Sequence, residues 1–256
     1  QGEVLRLDAN SGAVLASFAM DGARKLAAVG DRLFVSRGDF DQETWEPVAF
    51  DSYLVWLDIE TLAWEGQLSV TEGPQFSTEG MAAIGGDLFV AVNNGFAWGN
   101  EVGLIGRFDT ETGAYEEVDL GATGANPVHL LERDGVLYSV NNGDWSATSL
   151  SRFSPSTGET ITVPVDAAAA GCNAAAFLEN QLAFQVSGEF EVRTAVLSNL
   201  EEASPWMGTT HSFYSMIQDV NSGLVYASET DWFSYGMVHI YSATGTEISS
   251  FECGVS

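Results

Sequence analysis

Residues 101–113 read EVGLIGRFDTETG, an alternating apolar run that ends in an Asp-centred turn closed by glycine. The same phrase recurs as GEVLRLDANSG (2–12), SYLVWLDIETL (52–62), SLSRFSPSTG (149–158), VRTAVLSNLEE (192–202) and MVHIYSATG (237–245). Its turn-opening residues are Asp8, Asp58, Asp109, Ser154, Ser198 and Ser242, separated by 50, 51, 45, 44 and 44 positions. One supersecondary unit used six times, with a period in the forties and only strand-like segments, predicts a β-propeller.

Working outward from that phrase gives the grammar of one blade. Gly80–Gly85 is a short apolar strand, Gly86-Asp87 a tight turn, and Leu88–Val92 a second strand. A loop, NNGFAWGN, leads to a third strand (Val102–Phe108) and, past the Asp109–Gly113 turn, a fourth (Tyr115–Leu120). Repeating this grammar places four-stranded antiparallel blades at 24–70, 80–120, 128–165, 174–207 and 213–253 within a single domain, 1–256. Pro205 interrupts the outer strand of the fourth and is tolerated there because that strand is an edge. Residues 2–18 supply only the last two strands of another blade. The expectation is six blades with the closing one incomplete, or seven if a further blade precedes Gln1, which reads as a processed or trimmed end.

Composition narrows the partners. Asp plus Glu number 36 against 9 Lys plus Arg, a formal net charge of −27, and such a field repels nucleic acid and anionic membranes. It suits solubility at high ionic strength, with cation capture as the sharper alternative. No apolar run reaches the roughly 18 to 20 residues of a membrane-spanning helix. The two cysteines, Cys172 and Cys253, make no disulfide framework, and a single bridge between them stays open.

The glycine-closed turns (Gly30-Asp31, Gly86-Asp87, Asp134-Gly135 and Ser222-Gly223; Asn10–Gly12, Thr112-Gly113, Thr157-Gly158 and Thr244-Gly245) all belong to one face of the disc. The long loops belong to the other, where function concentrates. Those loops carry Phe40, Trp45, Phe96, Trp98, Trp145, Trp232, Phe233 and Tyr235. Exposed rings in several blades suit a flat, partly apolar ligand, and rings folded down to cap blade edges are the competing reading. Alignment of the modules brings Arg24, Lys25, Glu79, His129, Asn173, His211 and Ser212 toward the axis, while His239 alternates within a strand and reads as structural. Asp39, Asp41, Glu43 and Asp231 are calcium candidates that lack a recognised ligand spacing. Motifs for a nucleophile elbow, a zinc protease or a phosphate-cradling loop are absent, as is any cofactor motif.

The phrases GMAAIGGDLFVAVNNGFAWGNEVGLIGRFDTETG, NPVHLLERDGVLYSVNNGDWSATSLSRFSPSTGE and GLVYASETDWFSYGMVHIYSATGTEISSFECGVS resemble the YncE-like surface propellers of the Bacteroidota, from about Arg24 to Ser256. The resemblance implies an exported, lipid-anchored protein of the cell surface or periplasm that works with a TonB-dependent transporter. Its BtuG-type branch captures cobalamin across the propeller face. The resulting expectation is a non-enzymatic nutrient-capture propeller for cobalamin or another metal-tetrapyrrole. Its contacts would be Phe96, Trp98, Trp145, Trp232, Tyr235, His129, His211, Glu79 and Asn173. A protein-interaction module of a surface assembly is the alternative, and a metal-dependent propeller hydrolase or quinoprotein the third.

Overall fold

The structure is a computed structural model, and it describes residues 2–95, 97–231 and 234–254. Among these, twenty-two strands form six antiparallel sheets. A two-stranded sheet, β1 (Glu3–Leu7) and β2 (Val14–Ala19), comes first. The next blade is β3 (Ala23–Val29), β4 (Arg32–Arg37), β5 (Ser52–Asp58) and β6 (Trp64–Ser69). Then follow β7 (Thr78–Ile84), β8 (Asp87–Asn93), β9 (Gly103–Asp109) and β10 (Tyr115–Asp119). The third complete blade is β11 (Pro127–Arg133), β12 (Val136–Asn141), β13 (Thr148–Ser154) and β14 (Glu159–Val165). The fourth is β15 (Ala175–Leu178), β16 (Gln181–Phe184), β17 (Glu191–Val196) and β18 (Glu202–Gly208). The last is β19 (Ser215–Gln218), β20 (Val225–Glu229), β21 (Met237–Tyr241) and β22 (Glu247–Glu252). Each blade pairs its strands in chain order. The fold is thus an all-β propeller of four-stranded antiparallel blades. Among the described residues the complete blades number five, where a total of six or seven blades was expected, and the remaining pair, β1–β2, is a half blade.

Strand β8 shows why these residues make blades. Leu88 to Val92 are all fully buried, because a blade has a neighbour on each face and both side-chain sets must be apolar. Leu88 joins Phe34, Leu54, Leu68 and Phe108 in the core between the β3 and β7 blades. Phe89 and Ala91 point the other way, into the core with Ile105, Leu130, Leu137 and Phe153. Equivalent cores lie between the β11 and β15 blades and between the β15 and β19 blades. A further one, built on Val4, Val35, Val55 and Leu62, joins the half blade to the β3 blade. Among the described residues, the two outermost sheet faces have no such partner. Leu5 and Leu7 on β1 are exposed, as are Ile217 on β19 and Phe251 on β22.

The repeated Asp turn has a physical cause. The Asp8 carboxylate accepts hydrogen bonds from the backbone N–H groups of Asn10 and Ser11 and from the Ser11 hydroxyl, and Asp58 and Asp109 are engaged similarly by Thr61 and Thr112. These bonds hold all three carboxyls below the usual aspartate range, the hydroxyl contribution leading in Asp8 and Asp58 and the Thr112 amide in Asp109. The turn closes with an N–H four residues on: Gly12 to Asp8, Leu62 to Asp58, Gly113 to Asp109, Gly158 to Ser154. By the same bond, the fourth blade's turn is opened by Val196, whose carbonyl accepts from Leu200, and not by Ser198. Leu62 and Leu200 stand at positive φ where three other blades have glycine; their side chains are buried in the inter-blade cores, which offsets the backbone cost. Pro205 lies where the β17–β18 register slips, between the Thr194–Ala203 and Val192–Met207 pairs.

Candidate functional site

The inner strands of three successive blades carry a bulge at the same place. Register shifts fall between Ala23 and Leu26 on β3, between Thr78 and Met81 on β7, and between Pro127 and His129 on β11. A bulge leaves residues outside the ladder and re-aims their side chains. Here the residues so released are Arg24 and Lys25, Glu79 and Gly80, and Val128. Four of these five line one cavity. Gly80 lets the strands approach: a Cβ there would lie 2.3 Å from the Leu130 backbone nitrogen.

That cavity, about 420 Å³, is completed by His129, Phe40, Trp145, Cys172 and Tyr214. Glu79 is 8% exposed and pairs with Arg24 at 2.9 Å, whose Nε also donates to the Gly38 carbonyl. Burial nevertheless holds the Glu79 carboxyl above the usual glutamate range, opposed by Arg24 and Lys25. The Lys25 ammonium lies over the Tyr214 ring, 5.6 Å from its centroid. His129 Nε2 is 2.8 Å from the Asn173 carbonyl, which can only accept, so the ring carries its proton on Nε2. Burial pushes that imidazole down to about 4, with Lys25 adding to the effect and the bond to Asn173 opposing it, so His129 is neutral at pH 7. Burial and the Glu79 charge push the Cys172 thiol up. Both cysteines are free thiols.

The two Asn-Asn-Gly stretches, 93–95 and 141–143, tie this face together. Asn93 donates to the Pro127 carbonyl of the next blade at 2.8 Å. Asn142 exchanges two bonds with Gly171, the residue before Cys172. Gln185, at the equivalent place, accepts from Phe213 N–H and donates to the His211 carbonyl. The amides of Asn93 and Asn142 belong to this repeated Asn-Asn-Gly, and Gln185 takes the same part without it.

The residues expected to make contacts divide into groups. Glu79, His129 and Trp145 line the cavity, and Asn173 joins them through His129. Trp145 is folded in, its Nε1 donating to the Gly95 carbonyl at 2.6 Å. Trp98 and Tyr235 are exposed. Phe96, Trp232 and Phe233 lie outside the described residues. Phe40 and Trp45 stack on each other, ring centroids 5.2 Å apart. His211 is not at the cavity: its Nδ1 is 2.8 Å from Glu229, and its ring centroid is 4.0 Å from that of His239. Asp41 is occupied in capping its own turn through the amides of Glu43 and Thr44. Among the described residues, Asp39, Asp41, Glu43 and Asp231 form no ligand cluster.

Fold and cavity together define a propeller with a built pocket at the mouth of its axial channel. No protein-family model matches the chain, and no curated protein matches it in sequence. Among solved structures, BamB from Moraxella catarrhalis is similar, with a TM-score of 0.56 at 16% identity over 99% of this chain and 71% of that one. At that identity the likeness concerns the fold.

Proposed function

We propose that this protein is a non-enzymatic binding propeller whose axial cavity takes a flat, partly apolar ligand bearing an anionic group. The observation that carries this reading is the placement of Arg24 and Lys25 beside one buried carboxylate, Glu79, in a pocket walled by Trp145 and Tyr214. In a chain with only 9 basic residues against 36 acidic ones, two adjacent cations at one bulge of β3, with a single buried carboxylate beside them, are an arrangement that an anion would complement. The cavity's other carboxylate, Asp39, is solvent-exposed and so better screened. Aromatic walls with a few convergent polar groups are the usual composition of a small-molecule site.

Cobalamin is the first ligand to test, because the resemblance to YncE-like surface propellers points to it and because it combines a flat macrocycle with a phosphodiester. A corrin would lie across the mouth, with exposed Trp98 and Tyr235 as further stacking surface. Delivery to a TonB-dependent transporter, from the cell surface or periplasm, is the context that goes with this reading. Isothermal titration of cobalamin into the protein tests it. One-to-one binding is expected, weakened about five- to thirtyfold by Trp145→Ala and by Lys25→Ala, each removing an interaction of about 1–2 kcal/mol. Absence of heat, or binding indifferent to both changes, removes cobalamin from this cavity.

One observation favours a second reading, a protein-interaction module: Leu5, Leu7, Ile217 and Phe251 are exposed on sheet faces that, among the described residues, no blade covers. That reading predicts a stable complex in a pull-down that Ile217→Asp abolishes, with no effect of Lys25→Ala.

A further inference from the structure

A second polar cluster lies between the last two blades, away from the axial cavity. His211 comes from the segment entering β19, Glu229 ends β20, and His239 lies on β21. Glu229 is shared between the two rings. Its Oε2 is 2.8 Å from His211 Nδ1, and its Oε1 is 3.5 Å from His239 Nε2. His239 is 5% exposed, and its Nε2 makes no hydrogen bond despite facing Glu229. The other nitrogen of that ring, Nδ1, is 3.1 Å from Glu247. A buried ring nitrogen left without a partner is unfavourable, so its persistence asks for a reason.

We propose that His211, Glu229 and His239 form a binding site for a divalent transition-metal ion of the zinc class. Their ligand atoms all lie within 4.8 Å of one another. Tetrahedral coordination with bonds of about 2.0–2.1 Å needs ligand separations of roughly 3.3 Å, so closure requires the rings to draw in by about 1.5 Å at most. His211 can supply that movement because it sits on a connecting segment, not on a strand. Two imidazoles and one carboxylate favour zinc over calcium or magnesium, which prefer all-oxygen sites. Glu247 completes the arrangement by accepting the Nδ1 proton of His239, which directs the Nε2 lone pair at the ion. On binding, His211 exchanges its Nδ1–H···Glu229 bond for an Nδ1–metal bond and carries its proton on Nε2, so no proton need leave. Three protein ligands leave a fourth position, and a pocket lined by Thr209, Thr210, His211, Tyr241 and Glu247 opens beside it. The ion would fasten the entry to the last blade against its own β20 and β21.

The test is titration of chelator-treated protein with Co²⁺ and Zn²⁺ in excess calcium, which occupies the acidic surface. The expected result is one equivalent of Co²⁺ with the visible absorption of a tetrahedral site, displaced by Zn²⁺. His211→Ala and Glu229→Gln, both at partly exposed positions, should abolish that absorption while circular dichroism stays unchanged, and Glu247→Gln should weaken binding about tenfold. Absence of tetrahedral absorption in the parent protein, or its retention in His211→Ala, overturns the proposal.

Discussion

Two regions of this propeller treat their inner strands differently. On the β3, β7 and β11 blades those strands run seven residues and are bulged near the mouth, sending Arg24, Lys25, Glu79 and Val128 out of the ladder. On the last two blades β15 and β19 are four residues long and pair without a register shift. There the polar groups sit in the segments that precede the strands. One region concentrates charge and burial around a cavity; in the other, His211 meets Glu229 and His239 between blades. The difference teaches that in a repeated fold a one-residue irregularity, more than residue type, decides which histidine reaches the axis.

The sharpest way to break this comparison is to remove the partner of one carboxylate in each region. Arg24→Ala leaves Glu79 buried without its ion pair and is expected to cost about 3–5 kcal/mol in denaturant unfolding at pH 7, with much of the loss recovered when Glu79→Gln is added. His211→Ala, in metal-free protein, removes a partly exposed pair and should cost about 1 kcal/mol or less. Equal losses would mean that the bulged region is no more committed electrostatically than the rim.

Protonation gives the next largest effect. The His129 imidazole is held at about 4 by burial, against an unperturbed value of about 6.5, so the folded state binds its proton less readily than the unfolded chain. Its stabilising contribution is therefore complete above pH 6.5 and is lost as pH falls from 6.5 through 4, up to about 3 kcal/mol. Stability measured across that window should fall less steeply in His129→Gln; an unchanged slope would place the titration elsewhere. A small effect belongs to the opposite face. Gly113 has φ +76° and open space around an added Cβ, so Gly113→Ala should cost about 1 kcal/mol through backbone strain and leave ligand binding untouched.

Much of the fold was legible because Asp-opened, glycine-closed turns are local chemistry, written out in the residues that make them. The fourth blade marks the limit: Val196 opens its turn through a backbone carbonyl, which any residue type possesses, so Ser198 two positions on was the visible but misplaced marker. The expected count of six or seven extended the half blade of residues 2–18 to a further blade, whereas among the described residues β1 pairs only with β2. Glu79 and His129 could be placed near the axis by aligning modules. The bulges that aim the neighbouring side chains have no periodic signature, and the pairing of His211 with His239 depends on a connecting segment whose path alignment does not specify. His239, read as structural because it alternates within a strand, carries an unpartnered ring nitrogen that the sequence could not show.

Cys172 offers the most direct measurement, since its thiol lies in the wall of the axial cavity and forms no disulfide. The rate of its alkylation, read by peptide mass against Cys253 as the internal reference, should fall several-fold when cobalamin is added. Protection confined to Cys172 would place the ligand in the cavity that the three bulged strands build. Equal alkylation rates with and without cobalamin, under conditions where titration shows it bound, would contradict the account by putting the ligand elsewhere on the propeller.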